Sequence, residues 1–136
     1  MYCYQCQEAA KNEACTVRGV CGKPEETADL QDLLIYVTKG IAVYGENLRD
    51  QGVVDKDAAR FIGQALFVTV TNTAWDDDVI MDWIKEGLEV RAAVREKVGK
   101  ADVGALPKCA TWTPADDQEI MAKALSDEVR ITATED

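Results

Sequence analysis

Residues 1–24 of this 136-residue chain read MYCYQCQEAAKNEACTVRGVCGKP and contain four of its five cysteines, spaced C-x2-C-x8-C-x5-C. These cysteines are Cys3, Cys6, Cys15 and Cys21. The segment QEAAKNEA between them could form a turn or two of helix, but it has no apolar stripe to pack. Because burial of so few large apolar groups is not expected to fix one shape, we predict that four thiolates close on one inorganic centre. We interpret residues 1–24 as a cluster-binding loop and the remainder as the helical part of the protein, on which this loop lies.

Three kinds of centre could use four cysteines. Structural zinc takes four tetrahedral ligands, and its common forms use two CxxC pairs, whereas the second pair here is C-x5-C. The chain has no histidine, which excludes mixed Cys/His zinc sites and histidine-based catalysis. An iron–sulfur cluster tolerates uneven spacing because each thiolate meets a different iron. The spacing therefore favours an iron–sulfur centre, with a zinc-stapled interaction domain without redox activity as the alternative and disulfides in third place.

The distribution of charge and the clustering of cysteines limit the partners and the location that we expect for this protein. The net charge of −10 is uneven, since the first 24 residues carry +1 and the rest carry −11. An acidic body argues against nucleic acid and anionic membranes as partners. The start of the chain shows no signal-peptide pattern, and no run approaches the roughly 18 apolar residues of a spanning helix. We expect a cytoplasmic protein, where clustered cysteines indicate metal or redox chemistry more often than disulfides.

A helical apolar stripe begins soon after the loop. Glu25 and Glu26 place acidic groups at the start of a first helix, which ends at Gln51-Gly52. Its apolar and aromatic residues recur in steps of four and three, predicting one buried face: Leu30, Leu34, Val37, Ile41, Tyr44 and Leu48. Gly40 and Gly45 lie inside this helix and predict the close approach of a neighbouring helix.

Two further helices complete a predicted antiparallel bundle over residues 25–99. Asp55 would cap the second, DKDAARFIGQALFVTVTNTAW, in which the β-branched run VTVT leaves an edge strand as the alternative. Its predicted inward residues are Ala58, Phe61, Ile62, Ala65, Leu66, Thr69 and Thr73. NTAWDDD would form the turn and cap before a third helix that ends at Gly99. The predicted inward residues of the third helix are Val79, Ile80, Trp83, Ile84, Gly87, Leu88, Arg91, Val94 and Val98.

Residues 100–136 are predicted to be a connecting loop and the start of a further helical segment. KADVGALPKCATW (100–112) shows no period and indicates a loop over the bundle surface. Thr113 and Pro114 predict the cap and first residue of a fourth helix, PADDQEIMAKALSDEV, with Ile120, Met121, Ala124 and Leu125 on one side. No closing element follows, so we expect a fragment of a longer chain.

Several other residues have simpler expected roles. Cys109 is predicted to be a buried structural thiol, and Trp75, Trp83 and Trp112 are predicted to belong to the core. Gly19 and Gly22 could let backbone amides approach the sulfurs of the loop. Side chains that could shield a cluster there are those of Tyr2, Tyr4 and Val17.

The motifs also resemble a known family. MYCYQCQEAAKNEACTVRGVCGKPEETADLQDLLIYVTKGIAVYGE, followed by ALFVTVTNTAWDDD, closely resembles the start of the hybrid cluster proteins, also called prismane proteins and hydroxylamine reductases. The resemblance covers essentially all 136 residues. It implies that Cys3, Cys6, Cys15 and Cys21 bind a [4Fe-4S] cluster, that the helices form an all-α first domain, and that the cluster relays electrons. It also implies two partners, the remainder of such a protein and a redox donor protein.

One departure limits what the resemblance implies. Members of that family are much longer, and their hybrid cluster is bound by histidine, glutamate and cysteine residues in later domains. This chain has no histidine, so no residue here can be assigned to the reduction of hydroxylamine or nitric oxide. The resemblance therefore implies an amino-terminal, electron-relaying piece of such an oxidoreductase and no catalytic residue in this chain.

Overall fold

The fold is all-helical, as predicted. The computed structural model describes residues 1–70, 75–100, 103–130 and 133. A short 3₁₀ helix, Ala10–Asn12, precedes five α-helices: α1 Glu25–Asp50, α2 Lys56–Val70, α3 Asp77–Val98, α4 Lys108–Thr111 and α5 Asp117–Ala124. Extended pairing within the described ranges is limited to one isolated bridge. In the same ranges, no helix has the length and apolar character needed to cross a membrane.

Helix α1 is the centre of the fold and packs against each of the other four α-helices. Every residue of its predicted stripe is at most 1% exposed: Leu30, Leu34, Val37, Ile41, Tyr44 and Leu48. The phenol of Tyr44 donates a hydrogen bond to the carbonyl oxygen of Ala110 in α4, at 3.1 Å. A tyrosine can therefore occupy the stripe because its hydroxyl has a partner.

Two polar contacts fix the directions of the three long helices. The hydroxyl of Thr27 donates to the carboxylate of Asp77 at 2.6 Å, joining the beginnings of α1 and α3. Lys97, near the end of α3, donates to the carboxylate of Asp55, just before α2, at 2.6 Å. Helices α1 and α3 therefore run in parallel and α2 runs the other way, so consecutive helices are antiparallel as predicted.

The predicted caps of α2 and α3 are confirmed. Asp55 accepts a hydrogen bond from the amide of Ala58 at 3.2 Å. Asp76 accepts from the amides of Asp78 and Val79. Helix α2 continues to Val70, which confirms a helix rather than a strand through the first β-branched residues. The end of the predicted second helix, including Thr73, and part of the predicted turn fall in 71–74, outside the described residues.

The carboxy-terminal segment differs from the prediction. Residues 108–111 form a helical turn with Ala110 buried, so 100–112 is not wholly a surface loop. Helix α5 begins after Asp116 instead of Thr113, because the Asp116 carboxylate accepts from the amide of Glu119 at 2.9 Å. It also ends at Ala124, earlier than predicted. Three residues predicted to face inward are 40–54% exposed: Leu66, Val79 and Leu125.

Candidate metal centre

Cys3 and Cys15 lie opposite one another in an isolated antiparallel bridge. The amide of Cys3 donates to the carbonyl of Cys15 at 3.0 Å, and the amide of Cys15 donates back at 2.8 Å. The chain reverses between them at Lys11 and Asn12, which both have a φ of 58°. The segment predicted as a turn or two of helix is thus one short turn that brings the first and third cysteines together.

A second turn, from Gly19 to Lys23, carries Cys21. The amide of Gly22 donates to the carbonyl of Gly19 at 2.8 Å, and the amide of Gly19 donates to the carbonyl of Lys23 at 2.9 Å. These two amides therefore bond to backbone oxygens rather than to sulfur. A Cβ at Gly19 would lie 3.0 Å from the sulfur of Cys21. A side chain at Gly19 would therefore force Cys21 or Lys23 to shift by a small distance.

Burial helps to hold the loop, which corrects the expectation that metal alone would do so. Met1, Cys15 and Ala28 are at most 5% exposed and form a small apolar cluster of their own. Ala28 belongs to the first turn of α1, and its small side chain lets the loop approach the helix backbone. The loop is therefore seated on the beginning of α1 by apolar contacts.

A layer of charged and polar groups lies between the loop and α1. The ammonium group of Met1 donates to the Glu25 carboxylate at 2.7 Å and lies 3.4 Å from Asp29. The ammonium group of Lys23 donates to the amide oxygen of Gln31 at 2.7 Å. The same ammonium group lies 4.0 Å from the sulfur of Cys3. Cationic groups thus reach this layer from the loop, and α1 supplies the acceptors.

The carboxylates of this layer have shifted pKa values. Burial and, to a smaller extent, the neighbouring Asp29 raise the pKa of Asp32 to about 7. Burial also raises the pKa of Asp29, against the lowering effect of the amino terminus. The hydrogen bond from the amino terminus lowers the pKa of Glu25. One oxygen of Asp32 is buried without a hydrogen-bond partner, which fits a carboxyl group that holds its proton near neutral pH.

A groove of about 400 Å³ borders this layer on the side of α2. It is lined by residues of the loop, α1 and α2, among them Cys3, Tyr4, Asp32, Leu66 and Val70. Tyr2, which also lines it, meets Tyr4 edge to face with ring centroids 5.9 Å apart. Of the predicted shielding residues, the two tyrosines line this groove, whereas Val17 is 81% exposed. Of the four loop cysteines, Cys3 is the one that lines this groove.

The donor set fits a metal centre in kind and number. All five cysteines are free thiols, and the four in the loop range from buried (Cys15) through half-buried (Cys3, Cys6) to exposed (Cys21). Among the residues described, no three Cys, Asp or Glu side chains are already arranged around one metal ion. The structure therefore brings the four predicted ligands onto one loop and pairs two of them through the backbone. Their binding of a cluster stays a prediction.

Cys109 and two of the three tryptophans lie away from the cysteine loop. Cys109 is half-buried in α4, and burial raises the pKa of its thiol, which fits a structural role. Trp83 and Trp112 pack against the main core, as predicted. Trp75 lies instead against the loop, where its ring is 3.6 Å from a Cβ built on Gly22. The prediction that Trp75 is a core residue is therefore wrong.

Sequence reasoning missed the polar residues of α1 beneath the loop. Asp29 and Gln31 are at most 2% exposed, and Lys23 is 1% exposed. The stripe from Leu30 explained only one face of α1 and left the polar residues on either side of it, Asp29 and Gln31, unassigned. Polar residues in the first turns of a helix that directly follows a cysteine loop are the signal that could have identified this layer.

Comparison with known proteins identifies the family of this chain. The chain belongs to the Prismane/CO dehydrogenase family, whose family model matches residues 1–135. Relatives named hydroxylamine reductase include one from Desulfosudis oleivorans, 69% identical over 132 residues. Others come from Nitratidesulfovibrio vulgaris, 48% identical over 144 residues, and Methanocaldococcus jannaschii, 44% identical over 134 residues. The resemblance inferred from the cysteine motif is thereby confirmed.

Each match covers nearly all of this chain but only part of the relative. The match covers 97% of this chain and 24% of the Desulfosudis oleivorans relative. The corresponding shares are 100% and 26% for the Nitratidesulfovibrio vulgaris relative, and 98% and 24% for the Methanocaldococcus jannaschii relative. The chain thus spans about a quarter of the length of the curated relatives it matches.

Proposed function

We propose that this chain is an iron–sulfur electron-transfer unit in which Cys3, Cys6, Cys15 and Cys21 hold a [4Fe-4S] cluster. The observation that carries the proposal is the loop itself, which holds four free thiols within 24 residues and packs Cys15 and Cys3 against the start of α1. Four cysteine thiolates are the ligand set of such clusters. The cluster, when bound, supplies one-electron transfer, and the chain's residues hold it and shield it.

The proposed unit works as part of a longer oxidoreductase of the hydroxylamine reductase type. Membership of the Prismane/CO dehydrogenase family and the names of the relatives support this proposal. One electron would arrive from a redox donor protein and leave for a second centre in the remainder of the longer chain, so none accumulates on this unit. We propose a cytoplasmic location, because the cysteines are free thiols and thiols stay reduced there. We propose neither nucleic acid nor a membrane as a partner, since the net charge is −10.

Serine substitutions test the ligand assignment. Cys3, Cys6, Cys15 and Cys21 are each changed to Ser, and the chain is reconstituted with iron and sulfide without oxygen. We expect each variant to lose the visible Fe–S absorption and the EPR signal of the dithionite-reduced protein. The matched control is Cys109→Ser, which removes the fifth thiol and should keep both.

Three outcomes would contradict the proposal. Wild-type chain that gains neither absorption nor an EPR signal would not be an iron–sulfur unit, and zinc bound without sulfide would indicate the zinc-stapled domain. Loss of both spectra in Cys109→Ser, with retention in the four loop variants, would place the ligands elsewhere.

A further inference from the structure

Lys23 is a buried cation at the cysteine loop. Its side chain is among the largest that are almost completely buried, with the residue 1% exposed. Lysine is almost never fully buried unless it is paired, because an ammonium group loses its hydration there. A specific partner must therefore compensate its charge.

The direct partners of Lys23 do not neutralise that charge. Its ammonium group donates to the neutral amide oxygen of Gln31 at 2.7 Å, and the sulfur of Cys3 lies 4.0 Å away. No ion pair among the described residues includes Lys23. The nearby carboxyl group of Asp32, which Lys23 influences, does not come within ion-pair distance of it. The positive charge is thus left for an anion on the loop side.

We propose that Lys23 is a positioning residue for the four-cysteine site, in that its ammonium group beside Cys3 favours the reduced, more negative state of a bound cluster. This inference rests on the proposed function. It extends that function because it assigns the redox level of the site to a residue outside the ligand set.

The physical reason is that reduction adds one negative charge to a centre already surrounded by four thiolates. A fixed cation at hydrogen-bond distance from a ligand sulfur stabilises the added charge, and charge and hydrogen bonds to sulfur are known to set cluster potentials. Because water is excluded around Lys23, screening of this attraction is weak. Removal of the cation should therefore make reduction harder.

The test measures the reduction potential of the reconstituted chain in four variants, with iron and sulfide content determined for each. Lys23→Met removes the cation, and Gln31→Glu keeps the lysine but places a carboxylate on its ammonium group. Both should lower the equilibrium constant for one-electron reduction at least tenfold, a shift of 59 mV to more negative potential. Gln31→Met removes the hydrogen bond but keeps the charge. Lys11→Met removes one positive charge from an exposed position of the same loop. These two controls should shift the constant less than threefold.

The outcomes separate a charge effect from a structural one. Equal shifts in Gln31→Met and Lys23→Met would overturn the proposal, since a structural hydrogen bond would then explain both. An unchanged potential in Lys23→Met and Gln31→Glu would also overturn it. If Lys23→Met and Gln31→Glu fail to hold a cluster while the two controls load fully, the cation is required for assembly of the site rather than for its redox level, and the proposal is overturned. Failure of Gln31→Met to load as well would overturn the proposal in the same way. Failure of the wild-type chain to load would contradict the proposed function instead.

Discussion

Gly40→Ala should destabilise the chain, although alanine is normally the better helix residue. A Cβ at Gly40 would lie 2.2 Å from the carbonyl oxygen of Cys109, a distance that real contacts do not reach. Helix α4 would have to move away from α1. That movement would break the hydrogen bond from Arg91 to the Cys109 carbonyl (2.7 Å) and the bond from Tyr44 to the Ala110 carbonyl (3.1 Å).

The magnitude follows from these contacts. The bond from the Arg91 guanidinium contributes about 1.5–3 kcal/mol, and the neutral one from Tyr44 contributes about 1 kcal/mol. Alanine returns about 1 kcal/mol through helix propensity. The net expectation is a loss of about 1.5–3 kcal/mol in the free energy of unfolding, or about 10 °C in Tm for a domain of this size.

Urea unfolding followed by far-UV circular dichroism measures the effect, and the same helix provides a matched control. A Cβ at Gly45 meets no atom within 4 Å, so Gly45→Ala should stabilise the chain by up to about 1 kcal/mol. Opposite signs for the two variants are the predicted result. A Gly40→Ala variant as stable as Gly45→Ala would refute the packing of α4 on α1.

Three further predictions concern other parts of the chain. Asp55→Ala should lower the free energy of unfolding by about 1–2 kcal/mol, because the α2 cap is lost. Asp55→Asn keeps the cap and should lower it by less than about 1 kcal/mol. Equal losses for the two variants in urea unfolding would count against capping. Because the folded pKa of Asp32 is about 7, above its unfolded value, its stabilising contribution is full below about pH 4 and is lost as the pH rises through 7. Asp32→Asn should flatten the stability profile of the metal-free chain in that window, and an unchanged profile would exclude this carboxyl as its source. Cys15→Ser should keep the helical far-UV spectrum but speed tryptic cleavage at exposed Lys11 and Arg18, and a collapse of the helical spectrum would contradict the independence of the bundle.

The helices could be predicted from the sequence because their signals are local. The stripe from Leu30 to Leu48 and the caps at Asp55 and Asp76 each depend on residues a few positions apart. The later start of α5 was missed because two caps competed. Asp116 accepts a hydrogen bond from the amide of Glu119, and the Glu119 carboxylate accepts one from the amide of Ala115.

The candidate site was predictable only in part. Cysteine spacing identifies the four thiols, but the Cys3–Cys15 bridge depends on positive φ at Lys11 and Asn12, which the residue types do not require. The polar layer arises from contacts between the loop and α1, and such tertiary contacts leave no period in the sequence. The polar side chain of Gln31, 2% exposed, would by composition alone be placed at the surface.

The iron, acid-labile sulfide and zinc content of the chain purified without oxygen tests the central claim most directly, with Cys15→Ser analysed alongside. A [4Fe-4S] cluster held by the loop predicts about four iron and four sulfide per chain, both lost in the Cys15→Ser variant. Zinc without sulfide, or iron that remains unchanged when Cys15 is replaced, would contradict the claim that these four thiols hold the cluster.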